Sequence, residues 1–195
     1  MSPRTEKQFE AMRQHRREQL MEAGLRLFAE LGFENTSISL IAREAGISKG
    51  LMYNYFKSKD ELLGEVVRRG IEEMLMPLGG EPRPFTSQED LRWFVRTNLN
   101  ELMGNQHHWK LYYQLLLQPA VSSRFEKQQR EVSEPWMRFL IAYFEQKGHS
   151  DSRIQAFVFG ALLNGIGLNL VMNPRYLDEI GVSLDELVNR VVEGF

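Results

Sequence analysis

The side chains best suited to engaging a partner crowd into one short stretch: Lys49, Gly50, Leu51, Tyr53, Asn54 and Tyr55, followed by Lys57 and Lys59. Cationic and hydroxyl donors, flat rings and one bare peptide suit hydrogen bonding to base edges and phosphate oxygens. Bond making is poorly served elsewhere. No phosphate loop, nucleotide fingerprint, His-Glu-x-x-His run or nucleophile elbow occurs in the chain. Cysteine is absent, which excludes disulfides, thiolate nucleophiles and Cys-based zinc sites. Of the four histidines, only His107 and His108 are adjacent, and helix neighbours point about 100° apart, so they make a poor metal clamp. Neither a catalytic centre, a metal nor a cofactor is expected; an enzyme is the remotest alternative, since catalytic groups distant in sequence escape a motif search.

The elements that must position those donors are helices. Apolar residues recur at three and four spacings along most of the 195 residues, with no sustained alternation of the kind a half-buried strand shows. Leu20, Ala23, Leu27, Phe28 and Leu31 form a stripe stopped by Gly32. Ile38, Ile41, Ala42 and Ala45 lie on a short helix opened by Thr36 and Ser37 and closed by Gly46. Ser48 caps a second short helix to about Tyr55, and Ser58 with Glu61 reads as a capping box opening a fourth through Met74. Two short helices joined by a glycine turn form the helix-turn-helix pattern, in which the first braces the second against the major groove.

Charge supports a local rather than a global affinity for nucleic acid. The net charge is −2, yet between Met1 and Arg17 five basic residues oppose two acidic ones, a basic arm able to bind phosphate. With 43% hydrophobic and 26% charged residues, the composition is that of a globular protein of one domain or two small ones. The charged N-terminus lacks the apolar core of a secretory signal, so a cytoplasmic location is expected. Ile154 to Pro174 carries no charge and is long enough to span a bilayer, but Gln155, Asn164, Asn169 and Asn173 interrupt it. A helix buried on several sides, with no membrane, is the expectation.

Beyond Pro77, the stretch Leu78 to Ser87 holds Gly79, Gly80, Pro82 and Pro84 and reads as a connection. Helices are then expected over Gln88 to Met103, His107 to Leu117, Val121 to Lys147 with a kink or break at Pro135, Asp151 to Met172, and Ser183 to Glu193. About nine helices result.

The run Thr36-Ser37-Ile38, Ile41-Ala42, Ala45-Gly46-Ile47-Ser48-Lys49-Gly50, Met52-Tyr53, Tyr55-Phe56 and Ser58-Lys59-Asp60-Glu61-Leu62 resembles the signature of TetR/AcrR-type transcriptional regulators. The upstream Phe28-Ala29-Glu30-Leu31-Gly32-Phe33 agrees as well, and the likeness covers about Leu20 to Leu63. It implies an all-α protein: a three-helix DNA-binding head, residues 1–63, joined by a fourth helix to a larger ligand-binding and dimerising body, residues 64–195. Carried over by position, Lys49 and Gly50 meet bases, Leu51 touches a thymine methyl, and Tyr53, Tyr55 and Lys59 hold phosphates. Thr36, Ser37 and Ser39 add phosphate contacts, and Met52 and Phe56 face inward. Tyr55 stands where histidine is frequent, and Asn54 also departs from the pattern and bears on base preference.

The resemblance further implies a homodimer formed by the last two helices and a near-palindromic double-stranded DNA operator. Independently, Leu184, Leu187, Val188, Val191 and Val192 are too apolar for an exposed final helix, and Gly160, Gly165 and Gly167 suggest close helix approach. In the body, the aromatic surplus reads first as core. An apolar pocket for a small-molecule effector would draw on Trp93, Trp109, Tyr112, Tyr113, Trp136, Phe139, Tyr143, Phe157 and Asn164. The function expected is a repressor released when a small, largely apolar ligand moves the fourth helix; the alternative is a DNA-binding regulator without a pocket, controlled by a protein or constitutive.

Overall fold

A computed structural model describes residues 6–75 and 84–195. Among these residues there are ten helices and no strand: α1 (Glu6–Leu31), α2 (Ile38–Glu44), α3 (Lys49–Met52), α4 (Lys59–Leu75), α5 (Gln88–Gly104), α6 (Gln106–Leu116), α7 (Pro119–Gln146), α8 (Ser152–Met172), α9 (Tyr176–Ile180) and α10 (Leu184–Glu193). The stop at Pro77 and the Gly79, Gly80 and Pro82 connection lie outside the described residues. Packing divides the chain into two units, Met1–Arg69 with Gln114–Glu126, and Gly70–Tyr113 with Lys127–Phe195. The division thus falls inside α4 at Arg69, and a segment from the second half of the chain belongs to the first unit.

In the first unit, Leu20, Met21, Leu27 and Phe28 of α1 are buried together with Ile41, Ala42, Met52, Phe56, Leu62 and Leu63. Each of these side chains other than Ala42 contributes about 1.5 to 3 kcal/mol. Gly24 lets α4 come close, since a Cβ there would lie 3.0 Å from Leu62 Cδ2. Gly32, at φ 84°, turns the chain out of α1. Segment 114–126 is held by specific bonds. Gln118 donates from Nε2 to the Phe28 carbonyl at 2.8 Å and accepts the Phe33 N–H at 3.2 Å. Arg124 pairs with Asp60 at 2.5 Å and Glu34 at 3.3 Å, and its guanidinium lies 4.8 Å from the Phe33 ring centre.

The second unit is built on α5, which α8 and α10 both pack against. Ser87 and Asp90 form a capping box at its start. Hydrogen bonds from the Thr86 hydroxyl first, then the Thr86 amide and Ser87, lower the Asp90 carboxyl to about 2. Phe94 stacks on Trp136 at 5.2 Å, and Phe85 meets both Phe94 at 5.4 Å and Tyr143 at 6.5 Å. Gly70 admits Tyr112: a Cβ there would sit 1.9 Å from the ring.

Three expectations need correction here. Pro135 does not break its helix: α7 runs unbroken for 28 residues, because the single ladder bond a proline forgoes is outweighed by the bonds and packing on either side. The helix α8, which carries the uncharged run from Ile154, is not buried on several sides. One face carries Ala156, Phe159, Leu163 and Leu170 inward, while Ile154, Phe157, Val158, Leu162 and Met172 stand exposed on the other. Its 21 residues are long and apolar enough to cross a membrane. Asn164 and Asn169 are both exposed, and Asn169 bonds the Gly165 carbonyl of its own helix at 2.8 Å. Of the three glycines on α8, Gly167 alone is tightly approached, by Leu102; Gly160 and Gly165 face open space.

Candidate nucleic-acid interface

The brace and the reading element are set by three local devices. Ser37 opens α2 by accepting the Leu40 N–H at 3.1 Å. Gly46, at φ 66°, closes it: its own N–H reaches the Arg43 carbonyl at 3.1 Å, and the Ile47 N–H reaches Ala42 at 2.9 Å, the paired bonds of a Schellman cap. Ser48 then opens α3 by accepting the Leu51 N–H at 3.1 Å. The α-helix proper is shorter than the periodicity predicts, 4 residues. Turn bonds extend it: Asn54 and Tyr55 donate to Leu51 and Met52 at 3.1 and 2.9 Å, carrying the chain round to Tyr55.

That geometry sorts the side chains. Met52 and Phe56 are buried at 0% and 1% exposure, as their register predicts, and beside them Arg17 lies 5.0 Å from the Phe56 ring centre and pairs with Glu65 at 2.6 Å. The Arg68 hydrogen bond, aided by Arg17 against partial burial, holds the Glu65 carboxyl below its ordinary range. Lys49, Gly50, Leu51, Tyr53 and Asn54 are exposed, and Tyr55 is half-buried. Leu51 at 40% and Tyr53 at 47% exposure are large apolar or amphipathic groups presented to solvent with no core to serve. Beyond its chain neighbours and its own helix backbone, nothing lies within 4 Å of where a Gly50 Cβ would be, so internal packing does not demand glycine there. Ser37 and Ser39 are also exposed.

Two residues assigned to phosphate are turned elsewhere. Thr36 is 2% exposed, and its hydroxyl donates to the Leu27 and Gly32 carbonyls at 3.0 and 2.9 Å, satisfying the open end of α1. It points inward because the Gly32 carbonyl, just past the end of α1, has no helical partner. The Lys59 ammonium donates to the Phe33 carbonyl at 2.7 Å and lies 4.1 Å from the Phe33 ring centre. Its charge closes the corner after α1. The Ser58–Glu61 box is also half-formed: Ser58 accepts the Glu61 N–H at 3.0 Å, but Glu61 reaches back to the Lys57 N–H at 2.6 Å. Gln118 and Arg124, which brace this corner, went unpredicted because nothing local in the sequence couples positions so far apart.

The residues expected to line an effector pocket, all in the second unit, do not converge. Trp136 and Tyr143 belong to the Phe85 and Phe94 cluster, and Trp109 meets Tyr112 edge-on at 5.7 Å. Phe139 and Tyr113 are half-buried. Trp93 at 40% and Phe157 at 67% exposure lie on the surface, as does Asn164, because the faces of α5 and α8 that carry them point away from the unit's core. Trp109 Nε1, Trp136 Nε1 and Tyr113 Oη are buried atoms without a hydrogen-bond partner among the described residues. Burial pushes the Tyr112 and Tyr113 phenols up, so both remain neutral.

A capped brace, a glycine turn and an outward-facing second helix define a helix-turn-helix DNA-binding regulator. Residues 20–66 match the family model of bacterial regulatory proteins, tetR family. The HTH-type transcriptional regulator PksA of Bacillus subtilis is 29% identical over 173 residues, 82% of this chain and 80% of that one. Two solved structures share the fold: the fatty acid degradation regulator FadR from Bacillus halodurans, with a TM-score of 0.67, 22% identity and coverage of 91% and 93%, and a transcriptional regulator from Pseudomonas aeruginosa PAO1, with 0.69, 20%, 93% and 88%. Residues 20–66 are a DNA-binding segment of the TetR type.

Proposed function

We propose that this regulator acts as a homodimeric repressor that leaves its operator when a small, largely apolar, neutral ligand enters the second unit. The observation that carries the dimer is the bare face of α8, where Ile154, Phe157, Val158, Leu162 and Met172 stand in solvent and Gly160 and Gly165 leave room for a second backbone. A groove of about 470 Å3 continues that face past Leu177, Ile180, Leu187 and Val191, joining α9 and α10 to it. A two-fold pairing of α8 and α10 covers these groups and gives each operator two reading heads. Replacing Phe157 and Leu162 together by glutamate should yield a folded monomer by sedimentation; a variant that remains dimeric contradicts the assignment.

On DNA, Lys49 and the Gly50 peptide read base edges, Leu51 meets a thymine methyl, and Tyr53, Tyr55, Ser37 and Ser39 hold phosphates, with Asn54 modulating base choice. The open space at Gly50 supports this reading, since a side chain there would cost nothing inside the protein and would keep the backbone from a base. Ligand recognition rests on the buried Trp109 and Trp136 indoles and the Tyr113 phenol, donors that a ketone, ester or amide oxygen on an apolar molecule would satisfy. Preference for the unliganded state on DNA by about 1 to 3 kcal/mol gives a release of roughly 5- to 150-fold. The scatter of the aromatic residues favours a second reading, control by a protein partner without a pocket. Titration of the DNA complex with a panel of neutral ketones and esters separates the two: release weakened by Trp109→Phe supports the ligand, and no release by any member favours the partner.

A further inference from the structure

The first turns of α1 serve no core. Residues 6–15 are all exposed, yet they continue the helix well ahead of position 20, where the family match begins. An exposed helical extension gains little from propensity alone, so a retained one needs another source of stability. Its inner face, with Phe9, Met12, Arg13 and Arg16, borders a groove of about 700 Å3 whose opposite wall is Leu51 and Tyr55. Those last two belong to the outward face of the reading element, so the groove is continuous with the DNA-facing surface. Arg13 and Arg16 line this groove, and the acids Glu6 and Glu10 line it nearer the helix start. Neighbouring Arg17 is already engaged by Glu65 and Phe56. Arg13 is exposed, and Arg16 donates one N–H to Gln19 at 3.0 Å, which leaves further donors on a planar fork suited to phosphate.

We propose that the α1 extension is a second DNA-binding element: Arg13 and Arg16 clasp the phosphodiester strand bordering the base pairs read by α3, and Phe9 and Met12 lie against its sugars. The occupant is the same duplex, because the groove shares Leu51 and Tyr55 with the reading face and Arg13 and Arg16 line it with planar donors suited to phosphate. This inference rests on the DNA-binding reading of α3 and adds a sequence-independent anchor to it.

The test is fluorescence anisotropy of the full chain with a duplex of about 30 base pairs, enriched by the wild-type protein from a random pool, as a function of salt. Each lost phosphate contact lowers the slope of log affinity against log salt by about 0.9, so Arg13→Ala with Arg16→Ala should flatten it by nearly 2 per head and weaken binding roughly tenfold or more. Helical content and unfolding midpoint should stay unchanged, and Arg13→Lys with Arg16→Lys should restore most of the slope, which a packing role would not do. Wild-type slope and affinity in the alanine variant overturn the proposal. If Tyr53→Ala still loses binding in that case, the regulator reading stands and only the second element falls; if Tyr53→Ala also binds like wild type, both fall together.

Discussion

Thr36 and Ser37 are neighbours with opposite tasks, and only their surroundings separate them. Ser37 sits in extended backbone before α2 with its hydroxyl accepting the Leu40 N–H, whereas Thr36 is buried and its hydroxyl is turned to the Leu27 and Gly32 carbonyls. Thr36→Val keeps the volume and removes the donor, so unfolding in urea should show a loss of about 1 to 3 kcal/mol with the salt slope of DNA binding unchanged; a flattened slope would show that Thr36 reaches phosphate. Asp90 gives the corresponding acid-side signature in the other unit. Its folded pKa is depressed from 3.8 to about 2, so the stability it contributes is fully present above 3.8 and disappears as pH falls through 2. Asp90→Asn should lower stability near pH 7 by about 1 kcal/mol, the worth of a cap, and flatten the stability curve between pH 4 and 2. An unaltered acid limb in urea titrations contradicts the cap's role.

Elements were legible in the sequence wherever their ends are local chemistry. Ser37, Ser48 and Ser183 each accept the amide three residues on, and Gly46 makes the left-handed exit its position implied, so the helix-turn-helix could be placed before any coordinates. What escaped is non-local. Nothing near residue 118 states that its amide will satisfy Phe28 and Phe33, nor that Tyr112 will press into the notch left by Gly70. The short α9 escaped as well, and the apolar run of α8 read as interior because composition does not say which face is covered. Two experiments belong at this scale. Gln118→Ala leaves the Phe33 N–H unpaired and removes the second hydrogen bond to the Phe28 carbonyl, which keeps that from Gly32, so hydrogen exchange at the Phe33 amide should rise and the first unit should lose about 1 to 2 kcal/mol; unchanged exchange refutes the clamp. Gly70→Ala must displace the buried Tyr112 ring and should cost about 1 to 3 kcal/mol by thermal unfolding, whereas a Gly165 Cβ meets nothing in its own chain. A Gly70 variant as stable as wild type would show that the ring can yield.

At the scale of the molecule, the proposed dimer would bring two reading heads to a near-palindrome, and one copy exposes apolar groups along α8 and α9. These groups are spread over more than one helix, so in the proposed dimer their covering is a matter of assembly rather than of one side chain. The central claim is that α3 enters the major groove, and methylation protection of guanine N7 on an enriched duplex tests it most directly, because that atom lies on the major-groove edge alone. Protection should fall in two patches about 34 to 36 Å apart, or a multiple of that spacing, and both should fade together in Lys49→Ala. Tight binding of the wild-type protein with every major-groove guanine still reactive would contradict the account.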